Sequence, residues 1–275
     1  MSLKAGTQRA LLKLGVYHRL KESPVYDIYW KVFNARIVRQ RDQEVAFYRT
    51  VLKGLRPGAL IFDVGANEGA KTDVFLRLGA RVVAVEPDAS NQEALAGRFH
   101  RWRIRRKPVV IVPEAVSDSV GTGTMFEDAP GSAKNTLNPK WAEILRNDDT
   151  RFGRTLGFAN ARPVRTTTLD HLIAEHGLPH FIKIDVEGLE ASVLRGLQRT
   201  VPYVSFEVNL PEFHDEGLEC IQLLARAAPG GRFNCADAVG DGLMLNEWLD
   251  ASRFTKWFAA CGAPSVEVFW AAGAC

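Results

Sequence analysis

Two short apolar runs late in the chain end in carboxylates. Residues 180–186, HFIKIDV, carry Asp185 near their end and lead into Glu187. Residues 203–208, YVSFEV, carry Glu207 and are followed by Asn209. Runs of this length that are apolar throughout read as strands buried on both faces. Ligands of open α/β sheets sit beyond the carboxyl ends of such strands, so on neighbouring strands the four side chains converge. Two chemistries suit them. A carboxylate takes the proton of a hydroxyl, which is a poor nucleophile until that proton is lost. Alternatively, Asp185, Glu207 and Asn209 hold a hard divalent cation such as magnesium, whose charge acidifies the hydroxyl. His214, in what reads as a loop after Pro211, is a further candidate base. Asp185, Glu187, Glu207 and His214 form the expected catalytic set. Lys183, on the same strand face as Asp185, reads as an ion-pair partner across the sheet.

A second set lies earlier. The stretch Asp63-Val64-Gly65-Ala66-Asn67-Glu68-Gly69 falls where an apolar run, 59–64, meets a helical pattern at 70–78. Gly65 lets a cofactor approach the backbone, and Gly69 lets the helix start close to the sheet. The next run, 81–86, ends in Glu86 and is closed by Pro87. A carboxylate there accepts hydrogen bonds from both hydroxyls of a ribose. A dinucleotide loop reads G-x-G-x-x-G, which seats a pyrophosphate on a helix N-terminus. Here the pattern is D-x-G-x-x-x-G with two carboxylates, Asp63 and Glu68. They repel a pyrophosphate and attract a cationic amino acid bearing a sulfonium. S-Adenosylmethionine is therefore expected rather than NAD. Its expected contacts are Asp63, Gly65, Ala66, Asn67, Gly69, Glu86 and Pro87. Glu114 and Ala115, at the end of a third run over 109–116, are expected by the adenine edge, with Asp118 as the near alternative. Asp185 borders both sets.

The elements that must position these residues alternate. After a helical, mixed polar and apolar stretch over 1–55, broken at Pro24, strands at 59–64, 81–86 and 109–116 alternate with helices at 70–78 and 89–99, the latter capped by Asp88 or Ser90. Residues 117–162 interrupt the rhythm with seven Gly or Pro residues and read as a loop region with a short helix at 141–147. A loop of that length inside a domain is usually functional, so it is the expected substrate-facing insertion. Trp141, Phe152 and Phe158 within it either pack on an acceptor or anchor the loop in the core. Helices at 168–176, 187–197 and 216–228 then alternate with the strands at 180–186 and 203–208, and the tail adds strands at 232–238 and 266–270 around a helix at 251–261. Strand and helix in succession mean βαβ units and a parallel sheet. The expected fold is a doubly wound, mostly parallel, seven-stranded Rossmann-like sheet over 56–275, with a helical N-terminal extension over 1–55.

Bulk properties exclude other classes. The 275 residues are 46% hydrophobic and 24% charged, with net charge +3, an ordinary globular balance. A basic stretch at 98–107, RFHRWRIRRK, reads as a solvated helix end, and nucleic acid is not the expected partner. Cys220, Cys235, Cys261 and Cys275 form no CxxC pair and read as reduced thiols. No apolar run approaches the ~20 residues a membrane span needs, so a cytoplasmic location is expected. A homodimer through the N-terminal helices is compatible with the sequence.

The motifs FDVGANEG (62–69), VEPD (85–88), AVSD-x-x-G (115–121), TTLD (167–170) and KIDVEGLEASVLRGL (183–197) resemble the FkbM family of methyltransferases. The resemblance spans about residues 45–210 and is most specific in KIDVEG. It implies a class I methyltransferase fold and methyl transfer, typically to oxygen, with hydroxyls of sugars, glycolipids or natural products as acceptors. Two alternatives stay open: methylation of nitrogen or RNA, and a non-catalytic nucleoside-binding or scaffold protein on the same fold. Against the first, the end of the 180–186 run reads Asp-Val-Glu-Gly, not an N/D-P-P-Y motif.

Overall fold

The computed structural model describes residues 35–101, 107–148 and 155–273. Seven strands build the main sheet: β1 (Leu60–Val64), β2 (Arg81–Val85), β3 (Val109–Val112), β7 (Phe181–Ile184), β8 (Tyr203–Asn209), β9 (Arg232–Ala236) and β10 (Ser265–Ala271). Their order is β3-β2-β1-β7-β8-β10-β9. All neighbours pair in parallel except β10, which runs antiparallel between β8 and β9. β1 is buried at all five positions, because helices cover both faces of the sheet.

The helices are α1 (Ala35–Val51), α2 (Ala70–Arg77), α3 (Ala89–Ala96), α4 (Pro139–Asn147), α5 (Leu169–His176), α6 (Glu190–Arg195), α7 (His214–Ala227) and α8 (Ala251–Ala259). One sheet face buries Phe62, Ile182, Phe206 and Val268 against α4 to α8. The other buries Ile61, Phe181 and Phe269 against α1, α2 and α3. The result is the expected doubly wound α/β architecture. Asp88 caps α3 by accepting from the amides of Ser90 and Asn91, and Thr168 caps α5.

Two expectations need correction. The third strand does not run over 109–116. Pro113 lacks an N–H and cannot continue a ladder, so β3 stops at Val112, and Ala115–Val116 becomes β4 of another sheet. Residues 117–162 are not a loop region either. They hold β5 (Gly121–Glu127), α4 and the start of β6 (Asn160–Thr167). β5 pairs antiparallel with β6, and β6 pairs in parallel with β4, giving a three-stranded sheet. Trp141 and Phe158 anchor this region in the core, both nearly without exposure. Phe152 lies outside the described residues, as do residues 102–106 of the basic stretch and Cys275. The other three cysteines are free thiols.

From Ala35 onward the N-terminal stretch is part of the packed body. Tyr48 of α1 is fully buried, edge-on to Phe75 at 5.1 Å and tilted against Phe181 at 5.7 Å. Its hydroxyl donates to Glu267 of β10 at 3.4 Å. Tyr48→Ala is expected to cost about 3–5 kcal/mol, as for other buried aromatics. Urea unfolding measures this, and a loss below ~1 kcal/mol would show that α1 is not part of the core.

Candidate active site

The loop after β1 is shaped by two close approaches. Gly65 has φ +79°, and a Cβ built on it would stand 1.8 Å from the carbonyl oxygen of Asp185. Gly69 has φ +80°, and its Cβ would meet Phe99 and Leu95 at 2.6 and 2.7 Å. The two glycines thus serve packing partners that differ from those expected. Gly65 lets the β1 loop cross the β7 loop, and Gly69 lets the start of α2 lie against the α3 segment. Asn67 takes the left-handed region at φ 49°, which asparagine tolerates better than most residues.

Glu86 follows β2 and is buried. One oxygen accepts from the amide of Asn67 and the other from the amide of Asp88, both at 2.8 Å. Burial pushes its carboxyl up to about 7, against those two hydrogen bonds. The Asn91 side chain also hydrogen-bonds to it, and the carboxylate keeps acceptor capacity for a further donor. Gly65, Asn67, Glu86, Pro87, Glu114, Ala115, Asp185 and Glu187 all line one cavity of about 770 Å³, its open mouth included. Val64, Val85, Val116, Met125 and Leu137 supply its apolar wall.

Not every expected residue faces this cavity. Asp63 is buried beneath it, accepting from the Thr72 hydroxyl at 2.5 Å. Burial raises its pKa against the pull of Lys183. Glu68 and Asp118 are exposed, and Asp118 accepts from the Ser119 hydroxyl. Ala66 and Gly69 shape the loop without lining the cavity. Glu114 lines it while paired with Arg165. The carboxylates that do face the space are Glu86, Asp88, Glu114, Asp185 and Glu187.

At the catalytic end β7 and β8 are neighbours. Lys183, almost fully buried, donates to Asp185 at 2.8 Å. Burial opposes the Lys183 charge, but Asp185, Glu267 and Asp63 surround it and hold it protonated. Asp185 in turn is desolvated, yet Lys183 keeps its carboxyl below the ordinary range. Glu207 lies against Asp185, and burial followed by that neighbouring charge pushes it up to about 8. Asn209 closes β8, two residues further along the same strand. His214 does not sit in a loop. It opens α7, stacked on Phe258 at 5.4 Å, and does not line the cavity. Among the described residues, no cluster of three His, Cys, Asp or Glu is arranged to hold a metal ion.

The turn after β7 carries a feature that sequence reading missed. α6 begins at Glu190, so Glu187 lies before the helix, in the left-handed region at φ 56°. A non-glycine residue there costs on the order of 1–3 kcal/mol. The surroundings hold it in place. Lys134 and the Trp141 indole N–H donate to its carboxylate at 3.1 and 3.0 Å. The Thr136 hydroxyl donates to its carbonyl at 2.8 Å, and Asn138 donates to the carbonyl of Gly188 at 2.5 Å. Glu190 accepts from the amides of Val186 and Gly188, its carboxyl pushed up by burial to about 7.

Glu86, Glu190 and Glu207 therefore keep protons in the folded state that they lose in the unfolded chain. Stability contributed by such groups falls as pH rises from the unfolded value, ~4.3 for Glu, through the folded one. His180, lowered by burial, acts in the opposite sense but is outnumbered. The ligand-free melting temperature is expected to fall between about pH 5 and about pH 8; a rise across that window in thermal melts contradicts the assignment. Gly65→Ala is expected to destabilise by more than ~2 kcal/mol, since backbone rather than a flexible side chain must yield. A near-neutral urea midpoint would disprove the close crossing.

Comparison with known proteins places this geometry. No curated protein matches the sequence. The fold resembles that of a methyltransferase FkbM from Methylobacillus flagellatus KT, with TM-score 0.50 at 14% identity over 83% of this chain and 47% of that one. This chain thus spans about half the length of that protein. Weaker likenesses include a precorrin-6y C5,15-methyltransferase from Geobacter metallireducens GS-15, with TM-score 0.40 at 10% identity, covering 85% of this chain and 87% of the other. Another is a TehB-like SAM-dependent methyltransferase from Corynebacterium glutamicum, with TM-score 0.41 at 10% identity, covering 83% and 86%. The methyltransferase FkbM domain matches residues 63–228, well over half of the chain. The chain belongs to the methyltransferase FkbM domain family.

Proposed function

We propose that the protein methylates a hydroxyl oxygen of a sugar, glycolipid or natural-product acceptor, with S-adenosylmethionine as methyl donor. The observation that carries this reading is that an ionised Asp185 and the ribose-type carboxylate Glu86 open on the same cavity. The residues fit the cofactor. Glu86 has lone pairs left for a ribose diol, Asn67 offers a buried Oδ1 with no partner, and the apolar wall suits a purine.

The cofactor supplies a sulfonium methyl whose leaving group needs no acid from the protein. Glu86 orients the ribose. Asp185 would take the proton of the acceptor hydroxyl, and the bound cofactor would supply the methyl group that replaces it. Lys183 keeps Asp185 deprotonated and ready, and Glu207 beside it holds its own proton at neutral pH. Ser132, Ala133, Asn135, Thr136 and Leu137 line the same cavity as Asp185, which supports a substrate-facing role for 117–162. A divalent cation is not required in this reading. One Asp185 oxygen is already taken by the Lys183 ammonium.

Among the described residues no helix is long and apolar enough to cross a membrane. S-Adenosylhomocysteine is expected to raise the melting temperature and NAD to leave it unchanged. Binding at 100 times Kd stabilises by about 2.7 kcal/mol, and the reverse pattern ends the methyltransferase reading. Asp185→Asn is expected to retain S-adenosylhomocysteine affinity while methyl transfer to a hydroxyl acceptor panel falls by about 10²–10⁴. Undiminished transfer would remove Asp185 as the base. Turnover lost with EDTA and restored with magnesium would overturn the metal-free route.

A further inference from the structure

One segment joins the two halves of the cavity. At one end, the Gly131 amide and the Asn135 side-chain amide donate to the same oxygen of Asp88, at 3.2 and 3.0 Å. At the other, Lys134, Thr136 and Asn138 are bound to Glu187 and Gly188 as described above. Asp88 follows β2 and Glu187 follows β7, and these strands flank β1. The segment therefore bridges the strand ends on either side of the Gly65 loop, with Ser132, Asn135 and Thr136 on the cavity. Its ties at the β2 end are few. Asn135 is the hub there. It also donates to the carbonyl of Ala129 at 2.9 Å and accepts from the amide of Asp128 at 3.0 Å.

We propose that residues 128–138 form a strap over the cofactor cavity, with Asn135 and Thr136 as positioning residues, and that it lifts from Asp88 for the cofactor to enter and leave. Two observations support movement at the Asp88 end rather than at Glu187. First, the ties are unequal. Asp88 holds the strap by two longer hydrogen bonds, whereas the Glu187 end has bonds of 2.5 and 2.8 Å together with an ion pair. Second, Asp88 also donates its amide to Glu86 and caps α3. A ribose drawn to Glu86 therefore acts two residues away from the strap's anchor. This inference rests on the S-adenosylmethionine reading of the cavity.

The test is the binding kinetics of S-adenosylhomocysteine, measured by stopped flow or surface plasmon resonance on the full chain. A strap that must open multiplies the association rate by its open fraction. Asn135→Ala cuts the hub and is expected to raise both association and dissociation rates by about tenfold, because each net hydrogen bond lost is worth up to about that factor. A fixed wall gives a different result, in which dissociation alone quickens and association is unchanged. That result overturns the strap while leaving the cofactor reading intact. Hydrogen–deuterium exchange on the unaltered protein gives a second readout that needs no variant. S-Adenosylhomocysteine is expected to protect the amides of 128–138 by about tenfold more than those of α7, and equal protection also overturns the proposal. Failure of S-adenosylhomocysteine to bind the unaltered protein overturns the cofactor reading, and the strap falls with it.

Discussion

The crossing of two backbones governs the rest of this structure. The loop after β1 and the loop after β7 pass so closely that only a hydrogen atom fits between the Gly65 α-carbon and the Asp185 carbonyl. That contact sets how far apart a cofactor held by β1 and β2 and a carboxylate held by β7 can be. It also explains why the loop carries glycine at a position where the first expectation was room for a ligand. The space is given to protein, and the cavity opens beside it. A larger residue at 65 would separate the two strands whose ends define the site before it obstructed any small molecule.

Around this crossing the charges are arranged in two layers. Below the cavity, on the face covered by α1, Lys183 is ringed by Asp63, Asp185 and Glu267, and Ser205 donates to Glu267 at 2.7 Å. A buried ammonium with one neighbouring carboxylate only partly offsets its desolvation, and several partners are needed. Above, the cavity wall carries carboxylates at the ends of β2, β3 and β7. The acidic character that sequence reading ascribed to the glycine loop belongs instead to these strand ends, because Asp63 points into the sheet and Glu68 into solvent. The inference toward a cationic cofactor survives on different residues from those that suggested it.

What was legible in the sequence follows from which signals are local. The runs at β1, β2, β7 and β8 are apolar at nearly every position, which marks a doubly covered parallel strand without any knowledge of neighbours. The caps Asp88 and Thr168 are local too. β5 and β6 were hidden because GTGTMFE and NARPVRTT look like loops. Glycine and proline weaken strands, and these two form a small sheet buried only at Met125, Val164, Thr166 and Thr167. Trp141 was read as either acceptor platform or anchor, and its indole N–H on Glu187 could not be seen without the fold. Nor could the left-handed conformation of Glu187, since nothing in its residue type announces it. Glu267 depends on the register of β10 against β8, where it stands opposite Glu207, and register across some sixty residues leaves no trace in a local pattern.

The antiparallel insertion of β10 has a consequence for how the protein is made. β10 lies between β8 and β9, although both precede it in the chain. During synthesis the nascent sheet must therefore leave a gap between two strands already formed, or hold β9 aside, until the later segment arrives. Until then Lys183 lacks the Glu267 carboxylate, Tyr48 lacks its acceptor, and the edge of β8 is open to pairing with other chains. Unpaired edges of this kind invite association, and long-range pairing is slow to form. The electrostatic balance beneath the site is thus completed by a strand synthesised after both of its sheet neighbours.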